Sequence, residues 1–151
     1  MTTTAPLVDG RVIGLAHYAA RAVLESVLER HDVTFRQFVT LRLAATADGT
    51  LERARLAGGV AGSLKVPAAE ADGTIEELIS AGLLAAEEPS RIRITDAGRE
   101  RYDTGSAETA TVADRIYAGI PDEDRAVAGR VLTLVTERAE TELGAMTATR
   151  R

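Results

Sequence analysis

Residues 56 to 99, LAGGVAGSLKVPAAEADGTIEELISAGLLAAEEPSRIRITDAGR, constrain the fold of this chain more than any other stretch. Leu56, Val60 and Leu64 recur at intervals of four, which predicts a short helix with one apolar stripe. A turn follows at Lys65 and Val66, and Pro67 opens a second helix in the first turn, where a missing backbone N–H costs little. Ala71, Ile75, Leu78 and Ile79 share one face of that helix, and Gly82 supplies the left-handed residue that ends it. LLAAE and RIRIT then read as two strands joined across Glu88, Pro89 and Ser90. Helix, turn, helix and hairpin in this order make a helix-turn-helix with a β-wing.

Both flanks are helical. From residue 9 to residue 30, Ile13, Ala16, Ala20, Val23, Val27 and Leu28 form one apolar stripe, with His17, Tyr18, Arg21, Glu25 and Glu29 opposite. Thr34 and Gln37 have the spacing of a capping box, and FRQFVTLRLAA behind them is apolar around most of its circumference, the pattern of a buried central helix. Asp48, Gly49 and Thr50 make a turn, after which LERARLAGGVAGSL reads as one helix with Arg53 and Arg55 turned outward, away from its positive end. Thr95 caps a helix in which Thr104, Gly105 and Ser106 predict a kink. Pro121 starts the last helix with Asp122, Glu123 and Asp124 in its positive first turn. There, Ala128, Leu132, Val135, Ala139 and Leu143 form a seam suited to another helix. The first eight residues and GAMTATRR at the end have no such pattern and are expected to fray.

These elements predict a mainly α fold: a winged helix-turn-helix with a two-stranded β-wing, flanked by long N- and C-terminal dimerisation helices. A single domain of residues 1–151 is expected, with the winged lobe at 34–95 and dimerisation helices at 9–30 and 96–143. Stripes of this length exceed what a small lobe covers, so two copies are expected to pair as a homodimer. Aromatic residues make up only 3% of the chain, and a core poor in large rings buries little area per residue, which adds to the need for a partner.

Composition removes several function classes. With no cysteine there is no disulfide, thiolate metal site or cysteine nucleophile. No apolar run reaches the ~18–20 residues of a membrane span, and MTTTAPLVDG has neither a basic nor an apolar leader region, so a cytoplasmic protein is expected. GGVAGSLK lacks the spacing and preceding strand of a phosphate loop. His17 and His31 stand alone without further metal ligands, as surface histidines do, and no serine lies in a GxSxG elbow. No catalytic residue, metal or cofactor is expected, and the chain is read as a non-enzyme. The net charge of −5 speaks against indiscriminate coating of nucleic acid but not against a local basic face.

GxLKV, then TIEELISAGLL, a wing and TDAGRERY resemble the winged helix-turn-helix of the MarR family of transcriptional regulators. The resemblance extends over residues 33 to 143 through the long helices on both sides. It implies a dimer that binds double-stranded operator DNA and releases it when a small molecule binds. On this pattern Lys65, Arg91 and Arg93 would touch phosphates or the minor groove, and Ala68, Ala69 and Gly73 would let the second helix approach the bases. His17, Tyr18 and Arg21 lie on one flank of the first helix at three- and four-residue separations. The resemblance places this flank toward an effector cleft, and an arginine beside aromatic rings suits an aromatic or carboxylate ligand.

The second helix departs from that pattern. It holds no Lys or Arg between Pro67 and Ala81, and it carries Glu70, Asp72, Glu76 and Glu77. The wing is also short and lacks the family's acidic-then-arginine tip. The leading expectation is a dimeric DNA-binding regulator that responds to a small molecule. The alternative is a winged-helix dimer that has lost DNA binding and acts as a small-molecule-binding protein or enzyme.

Overall fold

Thr34 and Gln37 satisfy each other's backbone amides, with Gln37 N to Thr34 Oγ1 at 3.2 Å and Thr34 N to Gln37 Oε1 at 3.1 Å. This capping box starts the central helix of the fold. The computed structural model describes residues 4–150. Six helices and three strands follow in order among them: α1 (Gly10–Glu29), α2 (Phe35–Thr46), β1 (Leu51–Glu52), α3 (Arg53–Leu64), α4 (Ala68–Ser80), β2 (Leu84–Glu87), β3 (Arg91–Ile94), α5 (Asp96–Tyr117) and α6 (Asp122–Thr149). The chain divides into two compact units, residues 1–112 and 113–151.

In the first unit the core gathers around α2. Phe38, Leu41 and Ala44 of α2 meet Leu28 of α1, Leu56 and Val60 of α3, Ala71, Ile75 and Leu78 of α4, and Leu84 and Ile92 of the sheet. Burying each of the larger aliphatic side chains contributes about 1.5–3 kcal/mol, so the four helices and the sheet depend on one another. Thr40 and Thr74, both buried, return their hydroxyls to the carbonyls of Arg36 and Glu70 and leave no polar atom unsatisfied.

Gly82 ends α4 at φ +76, the left-handed conformation expected of it. Gly98 is required for another reason: a Cβ there would lie 2.0 Å from the Leu83 carbonyl oxygen. That close approach seats the start of α5, capped by Thr95, whose Oγ1 accepts from Gly98 N at 3.0 Å, against the start of the wing.

Four expectations are corrected. The sheet has three strands, ordered β1-β3-β2 and antiparallel throughout, because Leu51 and Glu52 pair with Ile92 and Arg91 instead of opening α3. Glu52 and Leu51 gain a ladder partner that local periodicity does not reveal. The helix α5 has no break at residues 104–106: it continues through Gly105, which is buried beside Phe38 and Leu28. Arg53 is not turned away; it reaches across to α4. The last helix continues to Thr149, well past residue 143.

The second unit holds the end of α5 and all of α6. Arg125 stacks on the Tyr117 ring, 4.6 Å from its centroid, across a turn in which Gly119 has φ +79. No residue of α6 is buried, and Val127, Leu132, Leu134, Val135, Leu143 and Met146 are exposed.

Candidate nucleic-acid interface

The turn between α3 and α4 is closed by Lys65 in the left-handed conformation, φ 54, and its backbone N–H returns to Ala61 O. Pro67 takes the N-cap position of α4 with an extended backbone. Ala71, Thr74, Ile75 and Leu78 anchor α4 inward, which leaves Ala68, Ala69, Glu70, Asp72 and Gly73 exposed. Ala68, Ala69 and Gly73 therefore present little side chain, and nothing lies within 4 Å of where a Gly73 Cβ would be.

Every carboxylate of α4 is engaged by the two helices behind it. Arg53 Nη2 lies 2.8 Å from Asp72 Oδ1, and its Nη1 lies 2.6 Å from Glu76 Oε1. Arg36 Nη2 stands 3.4 Å from Glu70, and Gln37 Nε2 donates to Glu77 Oε2 at 3.0 Å. Asp72 and Glu76 sit one turn apart, so a single guanidinium fork at the start of α3 spans both. Burial opposes the charge on Arg53, but hydrogen bonds to Asp72 and Glu76 and their negative charge outweigh it and raise its pKa. Sequence alone shows four acids on a helix; the partners that engage them, two arginines and a glutamine, come from 19 to 40 residues upstream and have no local signature.

In the wing, Arg91 and Arg93 alternate with Ile92, which is buried, and Ile94, which is half-buried. Both guanidiniums are held. Arg91 donates to Thr50 Oγ1 at 2.7 Å, to the Thr50 carbonyl at 2.8 Å and to Glu52 at 2.9 Å. Arg93 pairs with Glu87 at 2.8 Å. Pairing with Glu52 follows from β1, which the sequence pattern hides inside an apparent helix start. Exposed pairs of this kind are weak, about 0–1 kcal/mol each, so phosphate oxygens can compete for them.

On α1 the rings of His17 and Tyr18 meet edge to face, 5.4 Å between centroids. Arg21 departs from them: it bonds Glu25 at 2.9 Å and lies 4.4 Å from the centroid of the Phe35 ring. Tyr18 is 70% exposed, so this flank is an open face. Sequence reasoning missed a second cluster at the end of α1. His31 Nε2 lies 2.5 Å from Glu108 Oε2, and Arg30 pairs with the other oxygen of the same carboxylate. His31 is half-buried, unlike the surface residue expected. Its hydrogen bond, followed by the charge of Arg30 acting against desolvation, holds the Glu108 carboxyl below its ordinary range. No group of three metal-ligating side chains gathers among the described residues.

No protein-family profile matches the chain, and no curated protein does. Solved structures do match. CouR from Rhodococcus jostii RHA1, bound to p-coumaroyl-CoA, superposes with a TM-score of 0.72 at 20% identity, covering 83% of this chain and 89% of that one. The Mycobacterium tuberculosis MarR family protein Rv2887 in complex with DNA superposes at 0.67 with 23% identity, covering 87% and 98%. Sco5413, a MarR family transcriptional regulator from Streptomyces coelicolor, superposes at 0.69 with 20% identity, covering 85% and 91%. The chain has the winged helix-turn-helix fold of the MarR-family transcriptional regulators.

Proposed function

We propose that this chain is a cytoplasmic, dimeric transcriptional regulator that binds double-stranded operator DNA and responds to a small molecule. The observation that carries the reading is the state of α4. Its exposed N-terminal half is small, and its four carboxylates are each engaged by Arg36, Gln37 or Arg53 from α2 and α3. A helix so compensated can enter a major groove with far less repulsion than its composition suggests. Lys65 ahead of α4, with Arg91 and Arg93 in the wing, would supply the positioning contacts to phosphates. The fold shared with a protein solved in complex with DNA supports the reading.

Dimerisation is part of the proposal. A 28-residue helix with no buried residue has no tertiary support of its own, and the apolar residues of α6, together with the exposed Leu15 and Val23 of α1, are faces a second copy would cover. The total lack of Lys and Arg on α4 favours the second reading, a winged-helix dimer that binds only a small molecule.

Fluorescence anisotropy on DNA flanking the chain's own gene, at two salt concentrations, separates the two. Replacing Arg91 and Arg93 together by Ala should weaken binding to all sequences alike and make the salt slope shallower by roughly one unit per lost phosphate contact. A folded dimer that binds no such fragment at low salt refutes the regulator and leaves the small-molecule protein.

A further inference from the structure

Asp72 is held differently from the other acids of α4. Arg53 Nε and Nη2 both reach one oxygen, Asp72 Oδ1, at 2.9 and 2.8 Å, while Nη1 of the same guanidinium engages Glu76. Two donors converging on one atom fix a side chain that has only two torsions. No hydrogen bond among the described residues reaches Asp72 Oδ2. The Asp72 side chain is 51% exposed and that of Arg53 26%, so the guanidinium backs the carboxylate and leaves it open to solvent. Glu70 is longer and held by a single 3.4 Å contact. Glu76 and Glu77 lie in the C-terminal half of α4, whereas a recognition helix meets base edges with its N-terminal residues.

The neighbours suit a short acid. Helical spacing sets Ala69 and Gly73 opposite the buried Ala71, Ile75 and Leu78, and a Cβ on Gly73 would meet nothing within 4 Å. The backbone on that side can come close to a groove floor. An aspartate needs this approach, because a single methylene separates its carboxylate from the main chain.

We propose that Asp72 is a specificity-determining residue that selects cytosine at one position of each half-site, and that Arg53 is its positioning residue. The assignment rests on the regulator reading. A carboxylate offers acceptors only, and in the major groove the donors are the N4 amino group of cytosine and the N6 amino group of adenine. Adenine places its N7 acceptor beside that amino group, where it repels a carboxylate; cytosine has a C–H there. Asp72 Oδ2 therefore accepts from cytosine N4, while Oδ1 stays with Arg53.

The test selects duplexes from a randomised pool with the full-length protein at low salt and sequences those retained. Wild type should enrich a motif with cytosine at one position of each half-site, preferred about tenfold over any other base. Asp72→Asn sets a donor beside an acceptor, the pair that suits adenine N6 and N7, so that position alone should change from cytosine to adenine. Asp72→Ala should lose the preference there and keep the rest of the motif, which also shows that the variant is folded. A carboxylate that merely repels phosphates predicts something else: tighter binding to every sequence and an unaltered motif. Arg53→Ala should blunt the cytosine preference without moving it. A wild-type motif with no fixed cytosine, or one motif shared by wild type, Asp72→Asn and Asp72→Ala, overturns the base assignment. Undiminished cytosine preference in Arg53→Ala overturns the positioning role. A folded wild type that enriches no duplex refutes the regulator, and the assignment with it.

Discussion

Replacing Arg53 by Ala removes one positive charge from the back of α4 and releases two negative ones on its front. In the folded protein Arg53 bridges Asp72 and Glu76, and its side chain is only 26% exposed while theirs are half exposed or more. Two such pairs contribute about 0.5 kcal/mol each, and like charges one turn apart add a few tenths once the bridge is gone. The free protein should therefore lose about 1–1.5 kcal/mol, which for a domain of this size lowers Tm by about 3–5 °C.

The effect on DNA is larger in proportion. A carboxylate ~8 Å from a phosphate costs about 0.5 kcal/mol in water before salt screens it. Two unmasked carboxylates facing several phosphates then cost roughly 1–2 kcal/mol, or about tenfold in Kd. The decisive measurement is a double-mutant cycle by anisotropy. In a background where Asp72 and Glu76 are already Asn and Gln, Arg53→Ala should weaken DNA binding by no more than about threefold, since only one distant charge remains to be lost. Equal losses in the two backgrounds would show that Arg53 touches phosphate directly, and the account of α4 as a helix whose acids are partly compensated from behind would be wrong.

Leu132→Glu places a charge in the exposed apolar face of α6 and should give soluble monomer or unfolded chain in light scattering; a monomeric wild type would refute the proposed dimer. Glu108 has its folded pKa below the unfolded value, so the stability it contributes is present above the ordinary carboxylate pKa and is lost as pH falls through the lowered one. Glu108→Gln should accordingly flatten the acid limb of a Tm-versus-pH curve, and an unchanged limb would mean that His31 and Arg30 do not act on it in solution. Gly98→Ala must move the Leu83 carbonyl, 2.0 Å from the new Cβ, and should cost about 3 kcal/mol or more in urea unfolding; near-neutrality would disprove the tight seating of α5 on the wing.

The elements themselves were legible in the residues because each carries its own periodicity or cap. Thr34 with Gln37, the inward set Ala71, Ile75 and Leu78, the stop at Gly82 and the cap at Thr95 are all local signals acting within a turn or two, and all stand where the pattern puts them. Features that depend on distant partners were not legible. Leu51 and Glu52 become a strand only because Ile92 and Arg91 lie beside them, and α5 runs unbroken through Gly105, which packs beside Phe38 and Leu28 from distant parts of the chain. The same holds for charge: composition establishes that α4 is acidic, but its electrostatic character is decided by Arg36, Gln37 and Arg53, brought to it by the packing of α2 and α3. Propensities and caps are short-range, whereas ladder pairing, close packing and ion pairing require residues far apart in the chain to meet, and only tertiary structure decides which ones do.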